Sequence, residues 1–366
     1  MNVLDITELA QNPINTGIQR VVRALIRHWP SEIPLTLATF DPAHGLVQLP
    51  SAARMILLDA AASAEETERH LSAAGPRPPV LLDAVTRILV PEVFYDHARC
   101  NFYRTLPPEQ CAFLVYDLIA YLHPERIGVR ETAPLMPYLR LLRDARHRAF
   151  ISDQTRTDFA QRINRHETEP GPVLPLGADG LELERQFFAA TRTDFVCIGS
   201  IDGRKNQPLI IAAFQRLWQR GSTAHLTLIG RAFPSADLSA LDAIAEHPHF
   251  TWHRSATDDE IRSCLRSARA SLYLSNIEGY GLPPVESLYA GIPVIVTTSL
   301  PSTSALPNRG QIRLTTLTPE TIADAVEALN DTPNAARLWA EAAILQLPGW
   351  ADFASETARW LSALRP

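Results

Sequence analysis

The chain has 366 residues, enough for two domains of ordinary size, and its 46% hydrophobic and 20% charged residues mark a chain that buries real cores rather than a disordered one. A net charge of -6 and a pI near 6.0 argue against broad nucleic-acid binding, which needs a basic field, and leave only local basic patches for anionic ligands. No apolar run reaches the roughly 18 residues that a membrane span needs, and the first ten residues lack the basic start and apolar block of a secretory signal, so cytoplasmic residence is the default expectation.

In chain order, the N-terminal half offers the apolar runs 2–7, 35–40, 79–84, 87–94, 112–117 and 148–152 as strands. Helical periodicity is predicted over 16–29, 133–148 and 154–166, with Pro134 and Pro137 blurring the start of the second. The proline- and glycine-rich stretch 167–184 reads as a linker or a stiff crossing. The C-terminal half is more regular: runs 194–200, 225–230, 270–275 and 292–297 alternate with amphipathic patterns over 207–220, 237–247 and 257–268. Such alternation predicts βαβ units and a parallel sheet covered on both faces. Residues 350–366 read as one amphipathic helix. The four cysteines, Cys100, Cys111, Cys197 and Cys264, have neither zinc nor redox spacing, so no disulfide or metal site is expected of them.

The stretch 276–296, NIEGYGLPPVESLYAGIPVIV, follows a predicted strand and places Glu278 and Glu286 eight positions apart. Open α/β sheets bind ligands at the carboxyl ends of their strands. Gly279 and Gly281 permit a tight turn and close approach of a bound group, and Pro283 and Pro284 suit a first helical turn. A carboxylate there can accept hydrogen bonds from vicinal hydroxyls, and backbone N–H groups can hold phosphate. A lone glutamate at either position reads as a turn residue or a partner of the helix dipole; the combination points to a ligand. Arg204 and Lys205 follow another strand, and fixed cations there would stabilise a departing diphosphate, although an adjacent basic pair also reads as a solvated surface.

The 278–286 block resembles the E-x7-E signature of the retaining, nucleotide-sugar-dependent glycosyltransferases of family 4, which have the GT-B fold. Residues 195–217 resemble that family's strand, basic loop and helix, 174–179 its interdomain segment, and 150–159 its last N-terminal strand and helix. Residues 15–25, NTGIQRVVRAL, resemble the N-terminal glycine loop of a bacterial subgroup that builds surface polysaccharides. The resemblance implies two facing doubly wound Rossmann-like domains with a deep cleft that close around the donor. Their bounds would be 1–176 and 185–349, with the helix 350–366 packing back onto the first. Glu286 would hold the donor ribose, Glu278 the transferred sugar, and the backbone of Gly279, Tyr280, Gly281 and Leu282 the sugar and diphosphate.

Two departures from the family pattern stand out. Ser200 occupies the place of a frequent Arg, whose role passes to Arg204, and Tyr116 replaces a frequent His before Asp117, removing a contact to the donor sugar. Asp117 is an acceptor-side base or positioner, or else a cap for the next segment. His123, before Pro124, reads as structural. Gly17 allows close approach of a phosphate or sugar at a helix start, or is a plain glycine after an N-cap Thr16. Arg20, Arg23 and Arg27 share helical spacing and form either a solvated face or an anchor for anionic lipid or a lipid-diphosphate acceptor, with Tyr116 on the same acceptor side.

The implied function is transfer of a hexose from a nucleotide diphosphate sugar, GDP-mannose by analogy with the subgroup, to a glycan or polyprenyl-diphosphate-linked acceptor. No cofactor and no metal are expected, the chain lacking a D-x-D pair, and peripheral contact with the inner face of the plasma membrane is implied. A sugar-nucleotide epimerase on the same fold and a non-catalytic nucleotide-binding scaffold are the alternatives. The epimerase fits the E-x7-E loop less well, and the scaffold has no need of Lys205, Glu278 and Glu286 together.

Overall fold

The computed structural model describes residues 1–127, 132–165, 170–233 and 236–365. The chain divides into two compact units, residues 1–177 with 348–366, and residues 178–347. The end of the helix expected over 154–166 and the start of the crossing 167–184 lie outside the described residues.

The first unit is built on a six-stranded sheet: β1 (Asn2–Asp5), β2 (Leu35–Asp41), β3 (Gly45–Gln48), β4 (Arg87–Val90), β5 (Cys111–Val115) and β6 (His147–Phe150). Its order is β3-β2-β1-β4-β5-β6, parallel except for the β2–β3 hairpin at one edge. The run 79–84, expected as a strand, makes only a single antiparallel bridge, Val47 to Pro79, and then a 3-10 turn over Leu82–Ala84. Pro78 and Pro79 have no N–H to donate, so this stretch can hang on an edge strand but cannot extend a ladder.

The second unit holds β7 (Asp194–Ile198), β8 (His225–Ile229), β9 (Phe250–His253), β10 (Ala268–Tyr273), β11 (Val294–Thr297) and β12 (Gln311–Leu314), all parallel, in the order β12-β11-β10-β7-β8-β9. The two edge strands, β9 and β12, carry one buried residue each, which is why no apolar run announces them. The helix Gln207–Gln219 packs Ile210, Ile211, Phe214 and Leu217 into the core at the spacing expected of a buried helical face. The helix expected over 237–247, a stretch in which only Leu241 and Ile244 are buried while Leu238 and Ala240 pack partly against the core, shrinks to Ser239–Asp242.

Both sheets reverse their winding at one point, between β1 and β4 in the first unit and between β7 and β10 in the second. Connections leave to opposite sides there, which opens a crevice at the carboxyl ends of the strands. The helix Trp350–Ala363 returns to the first unit and packs Phe353, Ala354, Ala358 and Leu361 inward, contacting the helix Gly17–His28. Among the described residues no helix is long and apolar enough to cross a membrane.

Candidate active site

In the second unit the loops after β7 and β10 meet at the switch point. Asn206 stands in the left-handed region (φ 55°) at the start of the Gln207–Gln219 helix, and its Nδ2 donates to the Leu274 carbonyl at 2.7 Å. The Arg204 carbonyl accepts from the Asn276 N–H at 3.0 Å. Buried Gln207 donates to the Ser200 carbonyl at 2.9 Å, so the loop 199–206 is tied to its own helix as well as to its neighbour. Thr297, at the end of β11, donates to the Ser275 carbonyl at 2.9 Å and brings a third strand end into the same frame.

On the β10 side, Gly281 takes φ 96° and its carbonyl accepts from Ser302 at 2.7 Å; a Cβ there would stand 2.9 Å from Leu300. The helix Leu282–Tyr289 follows, with Pro283 and Pro284 in its first turn. Those two prolines bring no N–H, so the donors at this helix start are confined to the turn through Leu282 and to Val285. Glu278 is half-buried and accepts a hydrogen bond from the Tyr273 hydroxyl at 2.8 Å. Burial raises the Tyr273 pKa well above the usual phenol value, and Glu278 adds to the rise, so Tyr273 is a fixed neutral donor that orients the carboxylate. Glu286, within the helix, is 4% exposed. Tyr273 is absent from the sequence-based candidates, because strand position alone does not reveal which way a buried tyrosine points.

The two cations differ sharply. Nε of Arg204 donates to both Asp202 oxygens at 3.1 and 3.0 Å, and Nη2 reaches Oδ2 of the same carboxylate. Two arms of the fork expected to grip a diphosphate are thus held by Asp202. Burial alone would raise the Asp202 carboxyl, but the hydrogen bonds from the Arg204 side chain and N–H outweigh it and hold the pKa below the usual value. Lys205 is half-buried, and its Nζ lies 5.3 Å from the centroid of the Tyr273 ring, against Gly199. The Lys205 charge also acts on Asp202 and helps hold its carboxyl below the usual value, while the Asp202 oxygens themselves are hydrogen-bonded to Arg204. Lys205 is the only lysine in the chain, whose other permanently charged basic side chains are all arginine. That count was available in the sequence, and it marks the one position where a compact point charge stands in place of a planar fork.

The first unit gathers a second group. Asp117 is exposed at the carboxyl end of β5, and its Oδ1 accepts from the Ile119 N–H at 3.0 Å, so it caps the next turn while facing a cavity of about 170 Å³. Tyr95, Tyr116, Tyr138 and Ile18 also line that cavity. Tyr116 is buried and donates to the Pro91 carbonyl at 2.7 Å, and Tyr138 donates to the Glu92 carbonyl at 3.1 Å, so both present ring faces rather than hydroxyls. Gly17 opens the helix Gly17–His28, and a Cβ at this position would meet nothing within 4 Å. Thr16 does not cap that helix; its hydroxyl bonds Gln19 instead. His123 pairs with the Glu125 carboxylate at 3.2 Å.

The arginine stripe of the Gly17–His28 helix is corrected by the structure. Arg27 is exposed and Arg20 half-buried, but Arg23 is 6% exposed, with Nε donating to Leu57 O at 3.1 Å, Nη1 to Ile14 O at 3.0 Å and Nη2 to Pro13 O at 2.6 Å. A cation facing three backbone carbonyls in the interior cannot belong to a surface anchor, because its helix also turns that face toward the 13–14 loop and residue 57.

Two Rossmann-like α/β units, each with its loops gathered at a switch point, define the GT-B fold class. Solved structures agree on the fold. Anabaena Alr3699/HepE in complex with UDP and glucose superposes with a TM-score of 0.68 at 14% identity, covering 100% of both chains. WaaG, a glycosyltransferase involved in lipopolysaccharide biosynthesis, gives a TM-score of 0.61 at 13% identity, over 99% of this chain and 100% of that one. In sequence, residues 182–346 match the family model described as Glycosyl transferases group 1. The serotype-specific mannosyltransferase WbdA of Escherichia coli is 25% identical over 334 residues, covering 80% of this chain and 37% of the relative. The chain thus spans little more than a third of the length of that curated relative.

Proposed function

We propose that the chain is a retaining family 4 glycosyltransferase that moves a hexose from a nucleotide diphosphate sugar to a glycan or lipid-linked acceptor in bacterial surface polysaccharide synthesis. The observation that carries this reading is the meeting of Lys205 and Glu278 at the β7–β10 switch point, with Tyr273 lying against both. The mannosyltransferase relative supports mannose as the sugar and GDP-mannose as the donor.

In this reading Glu286 takes the ribose hydroxyls and Glu278 a hydroxyl of the transferred sugar. The backbone from Gly279 to Leu282 lies along the sugar and diphosphate. As the glycosidic bond breaks, negative charge grows on the departing diphosphate. The Arg204–Asp202 pair is already neutralised, so the net positive charge falls to Lys205. The gain is larger in the transition state than in the ground state, which is what acceleration requires. Gly17 leaves room for a phosphate or sugar, while Asp117 and the aromatic cavity beside it serve the acceptor. Arg20 and Arg27 remain as the basic surface for an anionic membrane face, and metal plays no part in charge neutralisation.

Product analysis tests the reading. The purified chain, given GDP-mannose and other nucleotide sugars with a glycan acceptor, should yield a glycoside of unchanged anomeric configuration and a free nucleoside diphosphate. Isomerised free donor would make it an epimerase, and binding without turnover of any donor would make it a scaffold.

A further inference from the structure

Between β1 and the helix Gly17–His28 lie a short helix, Thr7–Gln11, and an irregular loop, Asn12–Thr16. The loop has little apolar anchoring: Asn12, Ile14 and Asn15 are exposed, and Pro13 is the buried member. Yet it leads directly into Gly17 and Ile18, and Ile18 lines the cavity beside Asp117. Something other than packing must hold it.

We propose that Glu92 and Arg23 form a buried two-point clamp that sets the position of residues 12–18, which makes both of them positioning residues for Gly17 and for the cavity beside Asp117. At the first point Glu92, 1% exposed, accepts the Glu8 N–H on Oε2 at 2.8 Å and the Leu9 N–H on Oε1 at 2.9 Å. It is held in turn by buried Arg99, whose Nη2 donates to Glu92 Oε2 at 2.9 Å and to Asp5 Oδ2 at 2.7 Å, while Nη1 reaches Glu8 at 3.3 Å. At the second point Arg23, from the helix that the loop enters, folds back over its own loop and takes the Pro13 and Ile14 carbonyls. Its Nε on Leu57 O fixes the guanidinium plane.

Burying the Arg23 cation and the Glu92 carboxyl is costly unless their polar atoms find partners: Arg23 takes the carbonyls of Pro13, Ile14 and Leu57, and Glu92 takes the Glu8 and Leu9 N–H groups of the helix that feeds the loop. A planar fork is needed at the second point, because the carbonyls of two successive residues and a third from another element must be met in one plane; a lysine has the charge but not the geometry. Glu92 also connects to the cavity wall. Its own carbonyl accepts from Tyr138, and Val93 and Tyr95, just beyond it, line the cavity. The clamp therefore places both sides of that cavity, residues 93–95 and residue 18, relative to one another.

The catalytic consequence rests on the function proposed above; the clamp itself does not. Full-length Arg23→Lys and Glu92→Gln proteins would be compared with the parent by hydrogen exchange, calorimetry with bare GDP, and transfer kinetics. Amides of residues 12–18 should exchange about tenfold faster or more in both variants, while β4 and β5 keep their protection. Bare GDP should bind as before, and kcat should fall roughly ten- to hundredfold with little change in KM, the range for a misplaced catalytic element. Unchanged exchange over 12–18 in a folded variant would overturn the clamp. Faster loop exchange with undiminished kcat would overturn its positioning role. If Arg23→Lys does not fold, Glu92→Gln decides on the same readouts. A parent protein that transfers no sugar at all would instead sink the proposed function, leaving the exchange result to judge the clamp alone.

Discussion

Glu278 lies in the turn before the Leu282–Tyr289 helix and Glu286 within that helix; their surroundings differ, and their mutants should differ accordingly. Glu286→Ala should weaken bare nucleoside diphosphate by roughly 1.5–3 kcal/mol, the scale of hydrogen bonds to a charged group, and the sugar donor by as much. Glu278→Ala should leave bare nucleotide affinity nearly unchanged while kcat falls, because its contact tightens only as the sugar gains positive charge. Calorimetry beside turnover separates the two, and equal loss of nucleotide affinity in both would refute this division. Lys205 permits a sharper test. Its ammonium lies against Gly199 and 5.3 Å from the Tyr273 centroid, where an arginine would bring a planar, spread charge in place of a point charge. Lys205→Arg should therefore lose turnover nearly as far as Lys205→Ala, about 10²–10³-fold for a lost transition-state charge contact. Near-normal kcat in Lys205→Arg would show that charge alone suffices.

At the scale of elements, the hydrogen bonds that tie the Thr7–Gln11 helix to Glu92, just past the end of β4, should make stability depend on pH. Burial raises the Glu92 carboxyl from its ordinary 4.5 to about 7; Arg99 opposes the rise and Asp5 adds to it. Glu8 is raised as well, first by burial, with Arg99 opposing. Between 4.5 and about 7 the folded chain keeps a proton that the unfolded chain has released. The stabilisation is thus full below that window and lost as pH rises through it, with a slope of up to about 1.4 kcal/mol per pH unit for one proton. Urea unfolding at a series of pH values should show this fall in the parent and a flatter profile in Glu92→Gln. An identical slope in both would assign it to other groups. The central elements were legible in sequence because buried parallel strands read as apolar runs and the Gln207–Gln219 face repeats at helical spacing. The edge strands β9 and β12 were not, since an edge strand satisfies only one ladder and needs few buried side chains.

For the whole molecule, charge neutralisation by Lys205 and the turn after β10 predicts that sugar transfer survives a chelator. Full loss of turnover in chelator, restored only by added divalent ion, would show otherwise. The sequence by itself determined the class of architecture and the loops that matter: the alternation of strands and helices, the turn glycines and prolines around Glu278 and Glu286, and the cations after β7 are all local signals within a few residues. What each charge faces was decided by tertiary structure. Strand order put β7 beside β10, which laid Tyr273 against Lys205 and hydrogen-bonded it to Glu278. Folding buried Arg23 under its own loop and against the Leu57 carbonyl, 34 residues on. It also brought Asp5 onto Arg99, 94 residues on, and so into one cluster with Glu92. Helical spacing gives a side chain its direction around an axis, but whether that direction holds water, a carbonyl or a carboxylate depends on which distant segment packs there.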